Sequence, residues 1–120
     1  MNNNQKPKPY NLEERTLEFA KAVIRLCKKL PKNTINNEFI SQLIRSSGSV
    51  GANYREANET LTKKDFVYRI GICRKESKET HYWLQLILEA NEGFKGEINE
   101  LSGEAIELKK IFSSIIGKSK

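Results

Sequence analysis

The stretch Ser46-Ser47-Gly48-Ser49-Val50-Gly51-Ala52 decides how this chain folds. It lies in the middle of a segment whose apolar residues recur with helical spacing, although each glycine inside a helix costs about 1 kcal/mol relative to alanine. Close approach of a neighbouring helix offsets such a cost, because small side chains allow it. We therefore predict a helix from about residue 36 to residue 58 that packs tightly against another helix.

Cap residues mark the first and third helices on either side of this one. The first begins after Asn11 as its N-cap and ends before Pro31. The third begins after Thr62, where Asp65 completes something like a capping box, and continues to about Asn91. Apolar residues recur at steps of three and four along both segments, as amphipathic helices require.

A glycine-containing break at residues 91–96 separates the third helix from a fourth, which we predict from about Glu97 to Ile116 with Gly117 ending it. Four amphipathic helices with short connections predict an all-α protein, an antiparallel up-and-down four-helix bundle over residues 11–117. Residues 1–10 then form a flexible basic arm and residues 118–120 a tail.

The apolar stripe of each helix forms the predicted core. Cys27 and Cys73 both fall within these stripes, so we expect reduced core cysteines of a cytoplasmic protein rather than a disulfide. The stripes are Leu12, Phe19, Ala20, Val23, Cys27 and Leu30; Ile40, Leu43, Ile44, Ser47, Val50, Gly51, Tyr54 and Leu61; Phe66, Ile70, Cys73, Ser77, Leu84 and Leu88; and Ile98, Leu101, Ala105, Leu108, Phe112 and Ile115.

Length and composition exclude several classes of protein. A chain of 120 residues has room for one domain. No run approaches the roughly 18 apolar residues that a membrane span needs, and no apolar signal segment follows Met1, so we expect a cytoplasmic protein without a membrane partner. Lys and Arg total 21 against 15 Asp and Glu, a net charge of +6.

Basic side chains gather on the outer faces of the first and third helices. Such faces suit RNA or DNA phosphates, whereas an ordinary solvated helix face is the alternative. No aromatic residues interleave the patch on the first helix, so base stacking is not predicted there. The candidate nucleic-acid-binding residues are Lys21, Arg25, Lys28, Lys29, Lys32, Arg74 and Lys78.

The third helix carries a second apolar face opposite its core stripe. A bundle helix needs only one such stripe, and Tyr and Trp are enriched in protein interfaces. We therefore expect self-association through this face; the alternative is a monomer in which the first helix or the arm covers it. The candidate interface residues are Tyr68, Ile72, Tyr82, Trp83 and Leu86.

Four polar residues share one face of the second helix at steps of four, four and three. This spacing predicts an interhelical or intersubunit hydrogen-bond network, with a ligand site as the alternative. The residues are Arg45, Ser49, Asn53 and Glu56.

No residue pattern typical of catalysis is found in the sequence. Di-iron bundles carry Glu-x-x-His on two helices, whereas the single histidine, His81, has Lys78 three residues before it. The glycines at 48 and 51 lack the lysine of a phosphate-binding loop, and neither cysteine has a neighbouring histidine. We expect a protein that is not an enzyme, with no metal and no cofactor.

Two segments resemble the signatures of a known family. Residues 45–57 resemble Arg-x-x-x-Ser-(Ile/Val)-x-x-Asn-x-x-Glu of the bacterial four-helix-bundle family that includes proteins encoded in 23S rRNA intervening sequences. Residues 74–84 resemble the second signature of that family, Lys-Glu-x-x-Tyr-Trp-Leu, and the resemblance extends over about residues 11–116. Gly51 and Ala57 stand where Pro and Gly are often found. The matching positions are Arg45, Ser49, Asn53, Glu56, Glu76, Glu79, Tyr82 and Trp83.

The resemblance implies a small bundle that assembles into a ring-like homopentamer. A more distant relative, the accessory variability determinant protein of diversity-generating retroelements, binds nucleic acid and a reverse transcriptase through a basic surface. For the intervening-sequence members no particular biochemical activity is implied. We therefore expect a homo-oligomer that binds RNA or DNA through basic faces pooled from several copies, and the alternative is a protein-interaction scaffold that binds an unidentified protein partner instead.

Overall fold

Residues 11–119 fold into four α-helices joined by short connections. The computed structural model describes residues 11–119, and no strand occurs within this range. The predicted basic arm, residues 1–10, lies outside the described residues. The helices are α1 (Leu12–Lys29), α2 (Thr34–Ala57), α3 (Lys63–Ala90) and α4 (Lys95–Ser119), with a 3-10 turn (Glu92–Phe94) before α4. The all-α prediction is confirmed.

The helix ends agree with the predicted caps in part. Thr62 accepts a hydrogen bond from the Asp65 backbone N–H at 3.0 Å, as predicted. Asn11 occupies the N-cap position of α1 without making a side-chain capping bond. For α2 the cap is Asn33, whose side chain accepts from the backbone N–H of Asn36 at 2.8 Å, so this helix begins two residues earlier than predicted.

The prediction that Gly117 ends α4 is wrong. The helix continues to Ser119, and no described glycine has a positive φ, so Gly117 keeps an ordinary helical conformation. The hydroxyl of Ser119 donates to the carbonyl of Ile115 at 2.8 Å, a bond within the added turn. Two of the three residues assigned to the tail are therefore helical.

Neighbouring helices run antiparallel, as the side-chain pairs between them show. Residue numbers rise along one helix while they fall along its neighbour. No Cα atom of α1 lies within 8 Å of α3, so these two helices occupy a diagonal of the bundle. The four-helix bundle is confirmed. The pairs are Glu13–Asn58 between α1 and α2, Ser46–Thr80 and Asn36–Asn91 between α2 and α3, and Arg15–Glu104 and Lys29–Glu97 between α1 and α4.

Most of the predicted core is buried, with two clear exceptions. Ile44 is 43% exposed, while the smaller Ser46 and Ser47 on the same helix are buried. Leu61 is 97% exposed because α2 ends at Ala57 and Leu61 lies in the turn before α3. The hydrophobic residues fully buried at the centre include Val23, Leu26, Leu43, Val50, Ile70, Leu84, Ile87, Ile98, Leu108 and Phe112.

Gly51 allows α1 to approach the backbone of α2 closely. A methyl group at this position would lie 2.8 Å from Thr16 Oγ1 and 3.2 Å from Thr16 Cβ. Thr16 is fully buried and its hydroxyl donates to the Leu12 carbonyl at 2.7 Å, so the side chain has little freedom to move aside. At Gly48, by contrast, a methyl group would meet no atom within 4 Å.

The opposite side of α2 approaches α3 through buried hydroxyl groups. Thr80 Oγ1 lies 2.9 Å from Ser46 Oγ, and both residues are fully buried. At the end of the bundle Asn36 and Asn91 exchange two amide hydrogen bonds, of 3.0 and 2.9 Å. These bonds satisfy polar groups that would otherwise be costly to bury, and they fix the register of α2 against α3.

We expect Gly51→Ala to lower the free energy of unfolding by about 1 kcal/mol, because the clash with Thr16 outweighs the gain in helix propensity. Gly48→Ala is the matched control and should raise it by up to about 1 kcal/mol. Urea denaturation followed by circular dichroism measures both. Equal effects of the two substitutions would contradict the close approach of α1 to Gly51.

Candidate nucleic-acid and self-association surfaces

Four cations line a shallow groove between α3 and α4, which we call the basic groove. They are Arg74, Lys75 and Lys78 of α3 and Lys109 of α4, and the lining contains no carboxylate. The volume is about 420 Å³. None of the four forms an ion pair with another residue between 11 and 119. The groove therefore concentrates positive charge that no ion pair within residues 11–119 compensates.

The sequence positions these cations through helix geometry. Arg74 and Lys78 are four residues apart, so they lie one turn from each other on the flank of α3 that faces α4. Gly71, a further turn towards the N-terminus of α3, adds no side chain to the groove. Arg74 and Lys78 were predicted for nucleic-acid binding. Lys109 was not predicted. Its position next to the core residue Leu108 could have indicated it, because this position lies at the edge of the packed face of α4.

The predicted cations of the first helix do not join this groove. Lys21 pairs with Glu18 at 3.4 Å, and Lys29 pairs with Glu97 at 2.8 Å. α1 lies diagonally across the bundle from α3. The predicted nucleic-acid-binding residues therefore lie on two separate surfaces, one on the α1 side of the bundle and one in the basic groove. The remaining predicted cations on the α1 side are exposed, namely Arg25, Lys28 and Lys32.

The second apolar face of α3 is partly exposed in the subunit. Tyr68 is 67% exposed and Tyr82 58%, whereas Ile72, Trp83 and Leu86 are half-buried. The ring of Trp83 packs against Phe39 of α2, with centroids 6.2 Å apart. α1 does not cover this face, because it lies across the diagonal.

The predicted polar residues of α2 form two separate clusters against α3. In one, Asn53 Nδ2 donates to Ser49 Oγ at 2.9 Å, and Asn53 Oδ1 accepts from Arg69 Nη1 at 3.0 Å. Arg69 was not predicted as a partner, because its position on another helix leaves no trace in the spacing along α2. Glu56 is exposed, and its side chain makes no hydrogen bond or ion pair within residues 11–119.

The second cluster joins Arg45 to two carboxylates of α3. Arg45 Nη2 lies 3.3 Å from Glu79 Oε1, and Nη1 lies 3.8 Å from Glu76 Oε1. Glu76 is only 6% exposed, and its Oε1 atom has no hydrogen-bond donor in the described part of the chain. Arg45 is the only cation within 4 Å of Glu76 among those residues, so it compensates a buried charge.

A second groove, between α1 and α4, has the opposite charge. Its floor includes Phe19 and Leu101, its rim carries Glu18, Glu100 and Glu104, and its volume is about 470 Å³. The rim also contains Arg15, which donates two hydrogen bonds to Glu104, of 2.7 and 2.8 Å. These bonds raise the pKa of the Arg15 guanidinium. An acidic rim does not suit a nucleic acid.

Neither a metal-binding cluster nor a reactive thiol occurs among the described residues. From residue 11 to residue 119 no three His, Cys, Asp or Glu side chains come together as a metal site. Cys27 and Cys73 are free and buried, and burial raises their pKa values to about 11 and about 12, so both thiols stay protonated at neutral pH. None of the four helices has a segment long and apolar enough to cross a membrane.

The fold and these surfaces define a small antiparallel four-helix bundle with a basic groove on one side. The family model for 23S rRNA-intervening sequence proteins matches residues 10–114, and the chain belongs to this family. A crystal structure of a protein with unknown function, from the S23 ribosomal protein family of Bacteroides thetaiotaomicron, is similar, with a TM-score of 0.78 and 31% identity. The match covers 87% of this chain and 96% of that one. No curated protein matches the chain.

We expect Arg45→Gln to lower the free energy of unfolding by about 1–2 kcal/mol, because it leaves the buried carboxylate of Glu76 without a cation. Arg55→Gln is the control, since Arg55 pairs with Glu13 in an exposed ion pair of 3.5 Å. That variant should stay within about 0.5 kcal/mol of the wild type. Urea denaturation measures both. An Arg45→Gln variant as stable as the wild type would show that the buried carboxylate of Glu76 does not depend on Arg45 for its stability.

Proposed function

We propose that this protein is a cytoplasmic homo-oligomer, without enzymatic activity, that binds RNA or DNA through basic surfaces. The observation that carries the proposal is the basic groove, in which Arg74, Lys75, Lys78 and Lys109 face solvent without a carboxylate partner. A groove lined by four cations suits the phosphates of a nucleic acid, and binding releases the counterions that the nucleic acid holds. Such binding tolerates different sequences and weakens as salt is added.

Assembly of several copies would strengthen this binding. The family resemblance implies five copies, and each would contribute one basic groove. Contacts to a second groove on the same strand become intramolecular once the first has formed, so the overall affinity rises without any new kind of contact. The exposed Tyr68 and the half-buried Ile72 and Leu86 support self-association through α3.

The binding proposal is tested by reversing charge inside and outside the groove. We expect the double variant Lys78→Glu/Lys109→Glu to bind labelled oligonucleotides at least tenfold more weakly, with a smaller dependence on salt, because it removes cations that contact phosphates. The control is Arg55→Glu/Lys110→Glu, which changes the net charge equally but replaces cations that already pair with Glu13 and Glu107 and were not predicted to bind nucleic acid.

Fluorescence anisotropy at several salt concentrations measures these affinities. No binding by the wild type at low salt would contradict the proposal. An equal loss in both double variants would assign the binding to net charge rather than to the groove.

Self-association is tested by the mass of the particle in solution. We expect light scattering to give a multiple of the 13.8 kDa subunit, and Tyr68→Ala to lower it, because Tyr68 is exposed and contributes little to the subunit core. Leu61→Ala, at an exposed apolar residue outside the helices, is the control and should leave the mass unchanged. A wild-type mass of 13.8 kDa would contradict the proposal.

A protein-interaction scaffold that binds no nucleic acid is the second candidate. The groove between α1 and α4 supports it, since an apolar floor with an acidic rim suits a basic amphipathic segment of another protein. The ultraviolet absorbance ratio of the purified protein distinguishes the two candidates. A partner protein that co-purifies without nucleic acid would favour the scaffold.

A further inference from the structure

We infer that the protein binds single-stranded nucleic acid, with an unpaired base stacked on Tyr82 beside the basic groove. This inference rests on the proposed nucleic-acid binding and narrows it to strands whose bases are free to stack; it assigns Tyr82, predicted above for the subunit interface, to the nucleic acid instead. Two neighbouring surfaces on α3, one basic and one aromatic, are continuous and support it.

The aromatic surface is a second cavity on α3, which we call the cradle. It is lined by Lys75, Lys78, Glu79, Tyr82 and Trp83, and its volume is about 460 Å³. Lys75 and Lys78 also line the basic groove, so the two cavities share a wall. A strand whose phosphates follow the groove therefore passes directly beside the aromatic rings.

The ring of Tyr82 is both exposed and supported. More than half of the residue is open to solvent, and its ring meets Trp83 edge-to-face, with centroids 5.3 Å apart and an interplanar angle of 71°. Trp83 is in turn held by Phe39 of α2. A tyrosine ring fixed in this way offers a flat surface to any of the four bases, and base–aromatic stacking tolerates sequence variation.

One further feature suits a nucleotide. Glu79 is the one carboxylate in the cradle lining, and Arg45 binds it at 3.3 Å from α2. The charges of Lys75 and Lys78 therefore remain available to a phosphate.

These features favour single strands over duplexes. In a duplex the bases are paired and stacked on each other, so an exposed ring on the protein finds no free base face and only the phosphates are contacted. In a single strand each base can leave its neighbours and stack on an aromatic side chain. At the same salt concentration, we expect the wild type to bind a single-stranded 12-mer more tightly than a duplex of the same length.

The test uses Trp83, the single tryptophan of the chain, as an internal probe. A single-stranded oligonucleotide of thymidine or uridine should quench its fluorescence. Tyr82→Ala should weaken single-strand binding by roughly tenfold or more and leave duplex binding unchanged. Tyr82→Phe is the matched control, since it keeps the ring and should retain most of the affinity. Light scattering of all three proteins follows the oligomeric state.

The outcomes separate this inference from the proposal on which it rests. If neither single strands nor duplexes bind, nucleic-acid binding itself is wrong. If both bind but Tyr82→Ala weakens them equally, or weakens neither, binding stands and base stacking is overturned. If Tyr82→Ala changes the mass of the particle, Tyr82 belongs to the subunit interface and the stacking role is likewise overturned.

Discussion

The close contact between Gly51 of α2 and Thr16 of α1 is the constraint on which the rest of the bundle depends. It lets α1 lie against the backbone of α2, while Ser46 on the other side of α2 meets Thr80 of α3. Small residues on α2 thus bring helices close on two sides at once. α4 then closes the bundle mainly through α3, and its approach to α1 leaves a groove bridged at the rim by Arg15 and Glu104.

This arrangement explains why the candidate functional surfaces collect on α3. The helix packs between α2 and α4 and lies diagonally opposite α1, so no other helix of the subunit covers its outer face. The flank towards α4 carries the cations Arg74 and Lys78, and the flank towards α2 carries Trp83, packed on Phe39. Tyr82 lies where the two surfaces meet. One helix therefore holds positive charge and an aromatic surface within about three turns.

The sequence predicted the fold because its signals are local. Apolar spacing and caps such as Thr62 act within a few residues, and they located four helices. It predicted the surfaces only in part, because those depend on residues far apart in the chain. Lys109 reaches the basic groove from a different helix, and Lys29 is neutralised by Glu97, 68 positions away. Gly117 was misjudged because glycine can either end a helix or continue it, and local sequence does not distinguish the two.

The groove between α1 and α4 also sets an order of local stability within the molecule. α1 is packed closely on its α2 side, whereas on its α4 side part of its length faces the open groove. Because a helix held mainly on one side opens at a lower free energy than one held on both, we expect backbone amides of α1 to exchange with solvent hydrogen before those of α3. Because the basic groove is built from α3 and α4 alone, such opening leaves it assembled.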